Sequence, residues 1–241
     1  MSAPLFLVDA LPGGDTCTLD GPEGHHAASV QRLRVGEELI LADGRGGSAT
    51  ARATATAKAS LELQILTRQT VAAPDPRLVV IQGIAKGDRG ELAVQAMTEV
   101  GVDEIVPWAA SRSVAQWRAE RGAKAREKWV ATAREAAKQA RRVFVPVIGG
   151  APDVSTAQAA GRLAGGFVLH EEATERLSRV DLPNSGEIVL VVGPEGGIDD
   201  RELAAFVAAG ATPVRLGETV LRTSTAGVAA LSLLATRLDR W

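Results

Sequence analysis

The residues that could bind a ligand or take part in catalysis lie where apolar runs of the chain end. The stretch "EIVLVVGPEGGIDDREL" leaves an apolar run, passes Gly193, Gly196 and Gly197, and enters a helix-like sequence. Such glycines let the backbone turn sharply and approach a ligand, but neither a P-loop "GK[ST]" nor a "GxGxxG" pattern is present. The carboxylate of Glu195 would repel a phosphate and suits a ribose hydroxyl or a cation. The residues favour an adenosine-type ligand without phosphates, and a tight strand-to-helix turn is the alternative.

Two further apolar runs end in polar side chains. "FVLHEEA" places His170 directly after a run, although a lone histidine there can equally be a surface residue. "VRLGETVLRTSTAG" places Arg222 immediately before a long apolar helix, where the helix dipole disfavours a cation. A buried arginine there would need a partner. Thr223 or Ser224 is expected to cap that helix.

A second copy of "GPEG" lies at residues 21–24. It follows "CTLD", a poor strand sequence, and it lacks the second glycine of the pair. The sequence therefore predicts a turn before a helix, not a ligand site.

The pattern of the chain changes near residue 73. Before it, polar and apolar residues alternate, which predicts a small β-barrel with one short helix around residues 25–33. After two prolines in "TVAAPDPRL", apolar runs alternate with helical patterns, which predicts a mostly parallel sheet with helices on both faces. We therefore predict an α/β chain with domains at 1–72 and 73–241. Helices are expected after a cap at Asp88, within 123–142, at 153–164, at 199–209 after a cap at Asp199 or Asp200, and at 223–239.

Composition narrows the class of protein. With 46% hydrophobic and 23% charged residues, the chain has an ordinary globular balance. No apolar run reaches the length of a membrane span, and the N-terminus lacks the cations of a signal peptide. One cysteine, Cys17, excludes an internal disulfide, and with three histidines it makes a structural zinc site improbable. We expect a cytoplasmic protein without a metal.

Positive charge is concentrated in one segment. The net charge is −2, yet residues 111–142 hold ten Lys or Arg against three Glu. Such a stripe indicates either a polyanionic partner such as RNA or a solvated helix face.

The three strand ends, in the order "LHEEA", "VVGPEGGI" and "RLGETVLRTSTA", resemble the SPOUT class of S-adenosylmethionine-dependent RNA methyltransferases. The similarity is greatest to the small-subunit ribosomal RNA (uracil-N3)-methyltransferases. "MTEVGV", "REAAKQARRVFVP" and the N-terminal "HHAASVQRLRVGEELILADG" also match that family, so the resemblance covers nearly the whole chain. It implies a PUA-like RNA-binding barrel, a SPOUT domain with a trefoil knot, and a homodimer.

The resemblance also implies an activity. S-adenosylmethionine would methylate N3 of a specific uridine in 16S ribosomal RNA, in the free RNA or the small ribosomal subunit. Arg222 would stabilise charge or contact the target nucleotide, and Glu195 would hold its loop or assist proton removal. Donor contacts are expected from Leu169, His170, Glu171, Gly193, Pro194, Glu195, Gly196, Gly197, Ile198, Leu216, Gly217, Leu221, Arg222 and Ser224. RNA contacts are expected from Arg32, Arg34, Lys86, Arg89, Arg112, Gln139, Arg141 and Arg142.

Two departures and two alternatives accompany this interpretation. The family often has Glu where this chain has Ser224, and often a lysine in the stretch that here reads "QAMTEVG", where this chain has Met97. The first alternative is a non-catalytic RNA-binding protein of ribosome assembly with the same fold. The second is a SPOUT methyltransferase that acts on another RNA or position. A nucleotide-dependent enzyme is disfavoured by the missing lysine and by the glutamate in the loop.

Overall fold

The structure is a computed structural model that describes residues 3–149 and 152–241. The chain divides into two units. The first takes the chain up to Ala73 together with Ala137–Val145, and the second comprises Pro74–Ala136 and Pro146–Trp241. The predicted domain at 73–241 had included residues 137–145. They belong to the first unit because Val143 and Val145 pack against a small cluster of its apolar residues, formed by Leu5, Leu7 and Ala42.

The first unit is built on one mixed sheet of five strands. Its strands are β1 (Leu5–Leu7), β2 (Thr16–Leu19), β3 (Glu38–Ala42), β4 (Gly47–Thr56) and β5 (Leu61–Thr70). The order is β1-β3-β4-β5-β2, and β1 runs parallel to β3 while the other pairs are antiparallel. Alternate residues of β5, Leu61, Leu63 and Ile65, face the core. This agrees with the alternation of polar and apolar residues in the sequence.

The segment around the first "GPEG" differs from the prediction. The sequence predicts that "CTLD" is a poor strand, whereas "TCTL" is strand β2 and pairs with β5. "GPEG" is not a turn before the helix but part of helix α1 (Gly21–His25), which continues into a π-helical turn, His26–Val30. A Cβ on Gly24 would overlap the carbonyl oxygen of Leu19, so this glycine is required by close packing.

The second unit contains a sheet of six parallel strands. They are β6 (Arg77–Gly83), β7 (Glu104–Trp108), β8 (Val147–Ile148), β9 (Phe167–Leu169), β10 (Glu187–Val192) and β11 (Thr212–Val214). The order is β11-β9-β10-β6-β7-β8. Along β6, Leu78 and Val80 enter one apolar cluster while Val79 and Ile81 enter another. Both faces of the sheet are therefore buried, which explains why its strands are continuous apolar runs.

Helices cover both faces of this sheet. They are α2 (Arg89–Glu99), α3 (Ala119–Gln139), α4 (Thr156–Ala160), α5 (Asp200–Ala208) and α6 (Thr223–Arg237). The helix predicted at 153–164 is only the five residues of α4. Asp88 occupies the N-cap of α2, but its side chain makes no capping hydrogen bond. The predicted α/β class is confirmed, and the trefoil knot stays a prediction.

Met97 lies in the core between α2 and α6. It is fully buried, and a Cβ on Gly227 would lie 2.5 Å from its sulfur atom. The methionine that departs from the family pattern therefore packs in the interior of the fold. Within the described ranges, no helix is both long and apolar enough to cross a bilayer.

The amino ends of the strands are joined by an ion-pair network. Glu104, at the start of β7, is bonded to Arg162 at 2.6 Å and to Arg77 at 3.3 Å. Both arginines also pair with Glu187 at the start of β10. Burial of Glu104 opposes its ionisation, but the hydrogen bonds and charges of Arg162 and Arg77 outweigh burial and lower its pKa below 4.5.

Glu104→Gln is expected to lower the free energy of unfolding by about 1–2 kcal/mol at neutral pH, after allowance for the partly exposed arginines. Because the folded-state pKa is depressed, the ionised group stabilises the fold above its unfolded pKa. That stabilisation is lost as the pH falls through the folded-state value. The difference between the two proteins should thus shrink below about pH 4.5, the ordinary value for glutamate. Denaturant unfolding at several pH values measures it.

The matched control is Glu38→Gln. Glu38 forms a single exposed ion pair with Arg52, and its loss should change stability by less than about 0.5 kcal/mol. An equal effect of the two substitutions would contradict the assigned role of the network.

Candidate active site

A cleft of about 700 Å³ opens where the carboxyl ends of β9, β10 and β11 meet. The loops that follow these three strands line it, together with Arg89 after β6 and Arg112 after β7. This volume is in the range of small-molecule sites, and the edge is the one at which parallel sheets bind ligands.

The expected donor residues come together at this cleft, with one exception. Ser224 does not line it and is buried in the first turn of α6. The lining residues are Leu169, His170, Glu171, Gly193, Pro194, Glu195, Gly196, Gly197, Ile198, Leu216, Gly217, Leu221 and Arg222.

The glycines of the "GPEGG" loop, residues 193–197, are required by protein packing. A Cβ on Gly196 would lie 2.8 Å from both the Cβ and the carbonyl oxygen of Arg112, and one on Gly193 would lie 2.9 Å from Cγ1 of Ile198. Gly197 has a φ of +74°, which disfavours any side chain. The glycines therefore allow the loop to pack tightly on its neighbours, a reason that the sequence did not reveal.

Glu195 ties this loop to the segment between β6 and α2. Its Oε1 accepts a hydrogen bond from the backbone N–H of Lys86 at 2.9 Å and lies 3.5 Å from Nη1 of Arg89. Of the two roles expected for Glu195, these contacts support holding the loop.

Glu195→Gln is expected to raise the dissociation constant of S-adenosylmethionine, the donor expected from the sequence, by about three- to tenfold. The rate of methyl transfer at saturating donor should be largely kept. The amide still accepts the bond from Lys86 but loses the charge that attracts Arg89. Titration calorimetry and steady-state kinetics measure the two quantities. If kcat instead falls by 10² or more, Glu195 acts as the proton acceptor.

The start of α5 is fixed by a second set of polar contacts. Asp199 caps the helix through a capping box with Glu202, as the sequence predicts for Asp199 or Asp200. The Ser111 hydroxyl donates to Asp199 at 2.7 Å, and its N–H donates to Glu202 at 2.7 Å. The N–H of Glu202 and the Ser111 hydroxyl lower the pKa of Asp199. Sequence reasoning missed Ser111, which has no motif of its own.

Arg222 is the N-cap residue of α6 and is exposed at the cleft. Arg222 is not buried, so the need for a partner that burial would create does not arise. Neither Thr223 nor Ser224 caps the helix. The Thr223 hydroxyl donates to the carbonyl of Gly193 at 2.7 Å and accepts from Gln82 at 2.9 Å. The signal for Gln82 was present in the sequence as an amide inside the apolar run "LVVIQGI".

Models of known protein families match both parts of the chain. A family model described as RNA methyltransferase domain matches residues 73–235, and one described as RNA methyltransferase PUA domain matches residues 19–66. The chain belongs to this RNA methyltransferase family. The resemblance seen in the sequence is thereby confirmed.

Relatives of known name agree. The ribosomal RNA small subunit methyltransferase E of Mycobacterium bovis is 43% identical over 100% of this chain and 94% of its own. That of Bacillus subtilis is 29% identical over 91% and 90%. A crystal structure of the Neisseria gonorrhoeae methyltransferase E bound to S-adenosyl methionine has 29% identity and a TM-score of 0.85, covering 98% of both chains.

The residues expected to contact RNA are divided between the units of this methyltransferase. Arg89 and Arg112 line the cleft, and Lys86 is exposed next to it in sequence. The remaining expected residues belong to the first unit. Arg142 is half-buried, and the exposed ones are Arg32, Arg34, Gln139 and Arg141.

The basic stripe is not one solvated face. Lys138 is buried and pairs with Glu23 at 2.9 Å, and Arg126 donates a hydrogen bond to the carbonyl of Ile148. Several of its charges therefore stabilise the fold, and the net charge of the segment overstates what is available to a polyanion.

Proposed function

We propose that this methyltransferase transfers the methyl group of S-adenosylmethionine to N3 of a specific uridine in 16S ribosomal RNA, as a cytoplasmic homodimer. One observation carries the proposal: the loops after three adjacent parallel strands enclose a single cleft containing nearly every residue that the resemblance assigns to the donor. The names of the relatives, and S-adenosyl methionine in two of the similar crystal structures, support the same activity.

The charges of the cleft suit this pair of substrates. The strand order places the loop after β9, with Glu171 and Glu172, on one side of β10. The arginines after β6 and β7, Arg89 and Arg112, lie on the other side. S-adenosylmethionine carries a sulfonium cation and no phosphate, so the carboxylates of Glu171 and Glu172 fit the donor, while Arg215 and Arg222 line the same side of the cleft. The arginine side fits an RNA phosphate.

Backbone groups can recognise the adenosine of the donor. Adenine and ribose present hydrogen-bonding edges that a turn in the backbone can match without a charged side chain. We assign this contact to the backbone at Leu169, Gly193, Gly196, Ile198, Leu216 and Leu221, all of which line the cleft.

The chemistry needs an activated methyl group, loss of one proton and stabilisation of the negative charge on the base. S-adenosylmethionine supplies an activated methyl group on its sulfonium. N3 attacks the methyl carbon, the C–S bond breaks, and neutral S-adenosylhomocysteine leaves. The imide proton of N3 passes to solvent before or during attack, and negative charge develops on the uracil carbonyls. We assign the stabilisation of that charge to the guanidinium of Arg222, which is exposed at the cleft, and the alignment of the reacting atoms to the loops. N3 lies on the pairing edge, so the uridine must be unpaired or extruded.

We place the subunit contact on the outer face of α6. Gly227, Ala230, Leu231 and Leu234 are buried, whereas several small or apolar residues of the same helix are only half-buried. Those half-buried residues are Ala226, Val228, Ala229, Ser232 and Leu233. A half-covered apolar face of this kind suits a second copy of the chain.

Calorimetry and a methyl-transfer assay test the proposal. The protein should bind S-adenosylmethionine and methylate small subunits isolated from cells that lack this modification, with naked 16S RNA as the parallel substrate. Mapping of the product should place the methyl group on N3 of one uridine. RNA binding without donor binding would favour a non-catalytic assembly protein, and methylation elsewhere would favour another target.

A further inference from the structure

Gln82 is a fully buried polar residue in the centre of the second unit. It lies in β6 among apolar residues, with no solvent exposure. A buried amide costs stability unless its hydrogen bonds are made. One of its atoms, Oε1, is buried and has no partner among the described residues. Such an incompletely satisfied group in a core calls for an explanation beyond stability.

The other end of the amide begins a chain of hydrogen bonds. Nε2 of Gln82 donates to the Thr223 hydroxyl at 2.9 Å and to the carbonyl of Gly83 at 3.1 Å. The hydroxyl donates in turn to the carbonyl of Gly193 at 2.7 Å. A hydroxyl has a single proton, and Thr223 donates it to Gly193, so towards Gln82 the hydroxyl can act only as an acceptor. The direction of the chain is thus fixed from amide to hydroxyl to carbonyl.

Three elements of the cleft meet at these bonds. Gln82 belongs to the end of β6, Gly193 begins the "GPEGG" loop, and Thr223 is the first residue of α6, directly after Arg222. The same place is closely packed, since a Cβ on Gly83 would lie 2.6 Å from the backbone nitrogen of Pro194. The chain therefore sets the loop and the start of α6 relative to each other.

We infer that Gln82 and Thr223 are positioning residues of this methyltransferase, which hold the "GPEGG" loop and the Arg222 end of α6 in the arrangement that binds the methyl donor. This inference rests on the proposed function and adds two residues to it. Gln82 is absent from the cleft lining, and it acts only through Thr223.

Thr223→Val tests the inference by removing the hydroxyl at nearly constant volume. The dissociation constant of S-adenosylmethionine, measured by calorimetry, should rise about tenfold, the factor expected for one well-placed hydrogen bond. The donor KM should rise while the RNA KM stays within about twofold. Thr223→Ser keeps the hydroxyl and should bind the donor within about twofold of the unaltered chain.

Gln82→Met removes the other end of the same chain and should weaken donor binding by a similar factor. The two losses should not add in the double variant, because both break one path. This second variant also keeps the test available if Thr223→Val does not fold.

The matched control is Thr98→Val. Thr98 is a fully buried threonine of α2 whose hydroxyl bonds to Val94 at 2.7 Å. It should lower stability without changing donor affinity. Equal donor affinity of Thr223→Val and the unaltered chain, or equal weakening by Thr98→Val, would overturn the inference alone. No donor binding by the unaltered chain would instead overturn the proposed function on which the inference rests.

Discussion

Gly196→Val is expected to weaken binding of S-adenosylmethionine by at least about 100-fold while the chain stays folded. The new side chain would meet the backbone carbonyl of Arg112, 2.8 Å from the position of its Cβ, and this atom cannot rotate away. The strain is relieved only if the "GPEGG" loop moves off the segment after β7. Such a movement carries Glu195 and Ile198 with it and opens the cleft between them.

Titration calorimetry measures the loss, and circular dichroism with thermal unfolding checks the fold. Gly161→Ala is the matched control in the same unit. Gly161 lies at the end of α4, where a Cβ would meet the carbonyl of Gln158 at an ordinary 3.5 Å. It should bind the donor as the unaltered chain does. Unchanged affinity of Gly196→Val would show that the donor does not use this loop.

Arg222→Ala is expected to lower kcat for methyl transfer by about 10²–10³, with donor affinity changed by less than about threefold. The removal of one group that stabilises developing charge has effects of this size in other enzymes. Arg222 is exposed at the cleft, and its side chain makes no capping hydrogen bond to α6. Its loss should therefore cost little stability. Single-turnover kinetics with saturating donor and RNA isolate the chemical step.

Two comparisons make the Arg222 result decisive. Arg201→Ala removes an exposed arginine of α5 that does not line the cleft, and it should leave kcat unchanged. Arg222→Lys keeps the charge but loses the planar guanidinium, and an intermediate rate is expected. An equal loss of donor affinity in Arg222→Ala would make Arg222 a donor ligand instead. An unchanged kcat would remove it from the chemistry.

The parallel sheet could be foreseen because its physics is local. β6 and β10 are apolar on both faces, so each reads as a strand buried between helices. Asp199 was likewise visible as a cap, because its capping box with Glu202 lies within four residues. Features of this kind are encoded within one window of the sequence.

Other features depend on residues far apart in the chain. Strand β2 pairs with β5, and this pairing, with residues more than forty positions away, is not visible in the short segment itself. Thr223 was expected to cap α6, but the carbonyl of Gly193, thirty residues away, takes its hydroxyl. Gln82 could be noticed as an oddity in an apolar run, yet its contact is 141 residues distant. No pattern within the sequence places such partners side by side.

The order of strands in the parallel sheet also has a consequence for biosynthesis. β6 is made early, but its neighbour β10 leaves the ribosome more than a hundred residues later, and α6 follows last. Until then one edge of β6 has no partner from the same sheet. We therefore expect this half of the protein to fold slowly and only after α6 has been made, as pairing between distant segments requires. The ability to bind the methyl donor would then appear only once β10 and α6 have joined β6.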